Sequence, residues 1–248
     1  MDVFECIQGR RSVRAYGKES VPVEKIVQII DAGLDAPSAG NTQPWEFIIV
    51  SDKKVKEEVY NVSLQQEHIK KASTLIVVLA NKKRFSSKYG DRGRELYCIQ
   101  DTAACTENML LAAHALGLGA CWVGAFDELR LKGVLGITDD DIKPVVILTI
   151  GETVPYEIPE NPGRIAMDKI TWAERYGEKP KWILPYQRKH RLSYEPLDQT
   201  LIKAKEKIDE KISQASEKEA SKASETEKKG TEKPKKKGFL DFFRKLTR

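Results

Sequence analysis

Apolar residues in the first part of the chain come in short groups, and the spacing within each group predicts an element. Val3, Cys6 and Ile7 mark a short helix that stops near Gly9. Pro22 stands at a favourable first-turn position, and Ile26, Ile29, Ile30 and Gly33 line one face of a second helix ending near Leu34. "WEFIIV" reads as a strand, and Val55, Val59 and Val62 as the buried face of another helix. "TLIVVLA" is an unbroken apolar run, the pattern of a strand covered on both faces. Leu96 to Leu116 predicts a long, Ala-rich, mostly buried helix. "ACWVGAF" and "PVVILTIG" complete four strands, each separated from the next by helix. The alternation predicts an α/β-type or α+β domain with a central sheet covered by helices.

Two stretches depart from this rhythm. "APSAGNTQPWEFIIV", residues 36 to 50, carries more small polar residues than a connector between helix and strand requires. Met109 to Phe126 holds no charge and approaches the length of a membrane span. Its halves differ, however. "ENMLLAAHALGL" reads as a buried helix and "ACWVGAF" as a strand after a Gly-rich break, so no membrane span is expected.

After Tyr194 the pattern ends. "IKAKEKIDEKISQASEKEASKASETEKKGTEKPKKK" offers few large apolar residues beyond Ile202, Ile208 and Ile212, too little to offset chain entropy. Its first part suits a single charged helix and its second part a disordered segment. "GFLDFFRKLTR" then restores apolar residues on one helical face opposite Arg244, Lys245 and Arg248. The expected organisation is a domain over 1–190, a charged linker over 191–237 and a short amphipathic basic tail over 238–248.

Composition agrees. The chain has 248 residues, 40% of them apolar and 32% charged, which suits one good-sized domain with a non-core appendage. A net charge of +5 is mild and points to no nucleic-acid partner. The cysteines Cys6, Cys98, Cys105 and Cys121 form no CxxC pair, and three of them sit among apolar residues as buried thiols do. Reduced thiols and an N-terminus without the basic-then-apolar order of a signal peptide suit a cytoplasmic protein.

Candidate chemistry sits in two places. "GRRSVRAY" sets Arg10, Arg11, Ser12 and Arg14 within five positions, forked donors and a hydroxyl suited to phosphate or to a solvated turn. "GLGACWVGAF" flanks a strand with glycines, which suits close approach of backbone to a ligand or close packing of chain segments. The order is not that of a Rossmann fingerprint, and no Walker A motif is present. His68, His114 and His190 are scattered without metal-ligand spacing, and His114 reads as a core histidine. No serine stands in a nucleophile elbow. An enzyme built from these parts borrows its chemistry from a cofactor.

"RRSVRAY", "PSAGNTQPW", "GLGACWVGAF" and the later "WAERYG", in that order and at these separations, resemble the nitroreductase family of FMN-dependent oxidoreductases over about residues 1 to 177. The resemblance implies a three-layer α/β/α arrangement of the α+β class with a mixed sheet, and an obligate homodimer with FMN at the subunit interface. By the same resemblance, Arg10, Arg11, Ser12 and Arg14 would hold the FMN phosphate and ribityl chain. Pro37, Ser38, Ala39 and Asn41 would reach the flavin of the other subunit, and Gln65 the ring or ribityl chain. Trp122, Val123 and Gly124 would present backbone to the ring, and Arg164 in "ENPGR" would add a phosphate contact. A second basic residue often precedes that arginine in the family; here Pro162 stands there. Gln43 and Trp45 suit either flavin contact or fixing of the loop.

The implied reaction is ping-pong hydride transfer from NADH or NADPH through FMN N5 to an electron-poor acceptor such as a nitroaromatic or quinone. Arg84 to Tyr97 would form the lid, with Phe85, Tyr89 and Arg92 shaping the acceptor pocket, or else an exposed basic loop. Dehalogenating, flavin-fragmenting and ene-reducing relatives keep the acceptor open. So does a flavin-binding protein without NAD(P)H reductase activity. Residues 233–248 suit a membrane-surface helix, a segment docking on a protein groove, or a plain disordered tail.

Overall fold

The computed structural model describes residues 1–85, 89–154 and 157–180; the linker and tail expected after residue 190 lie outside the described residues. Helices α1 (Val3–Gly9) and α2 (Val23–Leu34) precede strand β1 (Trp45–Val50), and helices α3 (Lys53–Val62) and α4 (Glu67–Lys71) precede strand β2 (Thr74–Asn81). A one-turn helix α5 (Gly90–Arg92) leads to the long helix α6 (Cys98–Ala115) and strand β3 (Leu118–Val123). Helix α7 (Glu128–Val134), strand β4 (Ile142–Glu152) and helix α8 (Met167–Ile170) follow.

Local chemistry starts several of these helices. Asp2 accepts from the N–H groups of Phe4 and Glu5 while Glu5 reaches back to the Asp2 N–H, a reciprocal capping box on α1. Asp52 and Asp127 cap α3 and α7 in the simpler one-way form. Pro22 occupies the cap position of α2, one residue before the first helical residue.

The strands form one sheet in the order β1-β2-β4-β3, and every pairing among them is antiparallel. Among the described residues, the parallel element is a single bridge between Ser12 and Ala120 at the β3 edge. β2 is buried on both faces, as its unbroken apolar run predicts. Ile76 and Val78 join α2 and α6 in one core with Ile29, Met109 and Leu148. Leu75, Val77 and Leu79 join α3, α4 and α7 in a second core with Val59, Ile69, Leu131 and Ile147. The result is a three-layer α+β domain.

Boundaries move for identifiable reasons. β4 begins at Ile142, before Pro144, because a register shift between Val78 and Leu79 absorbs the missing proline N–H. β3 ends at Val123, leaving Gly124 to Phe126 outside the sheet. The long helix begins at Cys98, because Gly93–Tyr97 takes a wider π turn ahead of it. Among the described residues, no helix is long and apolar enough to cross a membrane.

Candidate functional site

The arginine segment is carried by the sheet itself. After α1 the chain runs along the open edge of β3. The Val13 N–H donates to the Ala120 carbonyl at 3.0 Å, and the Gly17 N–H to the Glu152 carbonyl at 3.0 Å. Gly119 makes this possible, since a β-carbon there would stand 2.8 Å from Val13 Cγ1. Of the two readings of the glycine-rich stretch, close chain packing therefore holds at Gly119. Gly124 is different: it is exposed, with only the Trp122 ring close by, so its backbone is open to a ligand.

The side chains on this segment have distinct tasks. Arg11 Nη1 donates to the carbonyls of Gln8, Gly9 and Arg10 at 2.7, 3.1 and 2.8 Å, closing the C-terminal end of α1. Arg10 Nε lies 3.6 Å from Glu107 Oε1 and is buried without a hydrogen-bond partner. Arg14 is exposed, and among the described residues its guanidinium is held by a 3.4 Å bond to the Ser12 carbonyl. Its charge, with burial, depresses the pKa of His68. Both Arg14 and Arg10 oppose the upward push of burial on Cys121 of β3.

The β3 end and the α3–α4 turn meet. Gln66 Nε2 donates to the Ala125 carbonyl at 3.1 Å, and the Asp127 N–H to the Val62 carbonyl at 2.8 Å. Gln65, at φ 52° and exposed, thus stands beside the chain just past Gly124. Trp122 is 38% exposed while Val123 is buried, so only the backbone and the Trp122 ring are presented outward. A cleft of about 430 Å³ lies next to Gly124, walled by Phe126, Ile99, Val145, Lys143, Glu95 and Glu128.

The small polar stretch is a fastened turn. Gly40, Asn41 and Gln43 take φ of 59°, 57° and 49°. The Ser38 hydroxyl accepts from the Gln43 N–H at 3.1 Å, and the Thr42 hydroxyl donates to the Ala39 carbonyl. Gln43 Nε2 donates to Asn41 Oδ1 at 2.9 Å, and Trp45 is buried. Gln43 and Trp45 therefore fix the loop. Pro37 is exposed beside it. Among the described residues, no hydrogen bond or ion pair joins this turn to Arg10, Arg11, Ser12 or Arg14.

The expected lid is helical where described. Phe85 is fully buried against Ala80 and Cys98, so it offers no surface to a ligand and instead supports Tyr89, whose ring lies 6.0 Å away. Tyr89 meets Tyr97 edge-on, and Arg92 Nε donates to the Tyr97 hydroxyl at 3.0 Å. Arg164 is exposed and bonded to the neighbouring Gly163 carbonyl, and among the described residues no contact brings it to the N-terminal arginines.

Two residues were misjudged or missed from sequence. His114 is not a core histidine: it is half-buried and lines a cavity of about 210 Å³ with Gly9, Arg10, Arg11 and Leu118. Burial and the two guanidiniums depress its pKa. Asp101, buried on α6, accepts from the Ala39 N–H. No local sequence pattern singled it out, because α6 also carries Gln100, Thr102, Thr106, Glu107 and Asn108.

Comparison with known proteins shows the family. A family model described as "Nitroreductase family" matches residues 7–67 and 63–152. A protein of Methanothermobacter thermautotrophicus, provisionally named NADH dehydrogenase/NAD(P)H nitroreductase, is 36% identical over 166 residues, covering 66% of this chain and 81% of that one. One of Archaeoglobus fulgidus with the same provisional name is 35% identical over 178 residues, covering 68% and 98%. The crystal structure of a nitroreductase family protein from Clostridium difficile 630 matches with a TM-score of 0.62 at 28% identity, covering 71% of this chain and 99% of that one.

Proposed function

The chain belongs to the nitroreductase family and is an oxidoreductase, and from that premise we propose that it binds FMN and carries electrons from NADH or NADPH to an electron-poor acceptor. One observation carries the reading: the arginine segment is held beside β3 at Ala120, and the same strand ends at Val123 with Gly124 exposed next in the chain. FMN needs cations for its phosphate, hydroxyls and amides for its ribityl chain, and a slot free of side chains for its ring. The residues present fit those needs. Arg10 Nε is buried and lacks a hydrogen-bond partner, as expected of a donor awaiting an anion.

Arg10 and Arg14 would take the phosphate and ribityl oxygens, with Ser12 beside them and Arg11 adding charge while it closes α1. Gln65 and the backbone of Trp122, Val123 and Gly124 would border the ring. FMN, when bound, would supply the redox chemistry, taking electrons from the nicotinamide and passing them to the acceptor in turn. The protein's task is to bind, orient and exclude water. Tyr89 and Arg92, with Phe85 packed beneath, would border the acceptor, a nitroaromatic or quinone in the simplest case. Arg164 would join only if its exposed segment closes over the phosphate.

A homodimer completes the reading. Val3, Phe4 and Ile7 on α1 and Val23, Val27 and Leu34 on α2 leave apolar side chains exposed, which a second copy would cover. Pro37, Ser38, Ala39 and Asn41, remote in bonding from this chain's arginines, would then serve the partner's flavin.

The test is purification, an absorbance spectrum, and anaerobic addition of NADH and then NADPH, followed by a panel of acceptors. A yellow protein bleached by a nicotinamide and reoxidised by an acceptor is expected. A flavin that neither nicotinamide bleaches would overturn the reductase reading, and a chain that does not retain added FMN would overturn the flavin reading.

A further inference from the structure

The cavity at the end of α1 holds one group that the flavin reading does not use. His114 sits in the last turn of α6 and faces the cavity that Arg10 and Arg11 also line. It is held there by contact with the α1 terminus. A β-carbon on Gly9 would stand 2.7 Å from His114 Nε2, so Gly9 is the residue that admits the imidazole to this wall.

We propose that His114 is a third, titratable cation of the FMN phosphate cradle, acting beside Arg10 and Arg11. This inference rests on the flavin reading above. Without an anion, partial burial, and after it the Arg10 and Arg11 guanidiniums, lower the pKa of the imidazole. A phosphate dianion entering the same cavity offsets the guanidinium contribution and favours the charged imidazole. The imidazole then takes up a proton and becomes a charge-assisted donor. The other groups around it are few. Glu107 is paired with Arg10, and the Cys6 thiol bonds to the Leu111 carbonyl. Lys25 Nζ donates to the Leu116 carbonyl, and the Met1 amine lies near Cys6. Glu107 is the sole carboxylate of this set, and it is half-exposed and already paired.

The consequence is affinity for phosphate that depends on pH through His114. Free FMN loses charge as its own phosphate takes a proton near pH 6, which alone would weaken binding to arginines. Comparison with a variant at the same pH removes that common effect. Riboflavin has the same ring and ribityl chain without the phosphate, so it separates a phosphate contact from a general loss of the site.

The experiment titrates the apo full-length protein with FMN and with riboflavin, following flavin fluorescence, between about pH 6 and about pH 8. It uses wild type, His114→Gln and Gly9→Ala, the last keeping the imidazole but displacing it. For FMN, the ratio of variant to wild-type Kd should rise from near one at the alkaline end to about five- to tenfold at the acid end. For riboflavin the ratio should stay near one throughout. An FMN ratio that is flat with pH, or an equal loss for riboflavin, overturns the role of His114 while leaving the flavin reading intact. Failure of wild type to bind FMN at any pH overturns both.

Discussion

The backbone N–H of Ala39 donates to Asp101 Oδ2 at 3.0 Å, joining the turn before β1 to the buried face of α6. Burial raises the pKa of Asp101, and the Ala39 N–H only partly opposes this. The folded value therefore lies above the unfolded one. The carboxyl contributes stability that is present below the unfolded pKa and lost as pH rises through the folded pKa. Near neutral pH its charge is a cost.

Asp101→Asn keeps an acceptor for Ala39 without that charge. It should be more stable than wild type at neutral pH, with the advantage shrinking as pH falls through the raised folded pKa and gone below the unfolded value of about 4. Asp101→Ala should lose about 1–3 kcal/mol by leaving the buried N–H unpaired. Urea midpoints across the pH range check both; a constant difference between Asn and wild type would refute the account.

Arg11 and Arg10 should separate by phenotype. Arg11→Ala removes donors from three carbonyls at the end of α1 and should cost about 1–2 kcal/mol of stability. Arg10→Ala should change the thermal midpoint less and weaken FMN binding about tenfold or more. Thermal scans of the apo protein and FMN titrations of both variants give the answer, and the reverse ranking would contradict it.

The two depressed histidines predict an acid limb. Burial, aided by Arg14 at His68 and by Arg10 and Arg11 at His114, lowers both pKa values. Their contribution is present above the unfolded value near 6.5 and is lost as pH falls through the folded values. Stability of the apo protein should fall from neutral pH toward about pH 5, and His68→Leu should flatten part of that slope. An unchanged slope in this variant would remove His68 from the explanation.

Gly119→Ala should displace Val13 and cost about 1–3 kcal/mol, because the new methyl meets Val13 Cγ1 at 2.8 Å. Adding Val13→Ala makes room. The double variant should then be less destabilised than the sum of the two single changes. Strict additivity in denaturant titrations would place the strain elsewhere.

Sequence periodicity was enough for the strands and main helices because β2 buries its side chains in an unbroken run and α6 buries its own at helical spacing. The arginine cluster and the "PSAGNTQPW" turn were legible as local motifs. What stayed hidden depends on contacts between distant segments. Phe85 lies in a polar, basic stretch, yet it is buried because the π turn brings Gly93 within 2.9 Å of its side chain, measured from an added β-carbon. His114 sits among alanines and leucines, so its pattern is that of a core residue. Only the end of α1 passing over it turns that wall into a cavity. Asp101 gains its meaning from Ala39, 62 positions away.

The bridges of Ser12 with Ala120 and of Tyr16 with Thr153 bear on how the protein is made. The arginines are synthesised before every strand of the sheet, and the strands that hold them in line are its last two. At about 5–20 residues per second, roughly 7–30 s separate the two events. Until β4 is complete, this cationic segment has no sheet edge to settle on. The nascent chain thus aligns its arginine segment at the end of folding, when the rest of the sheet already exists.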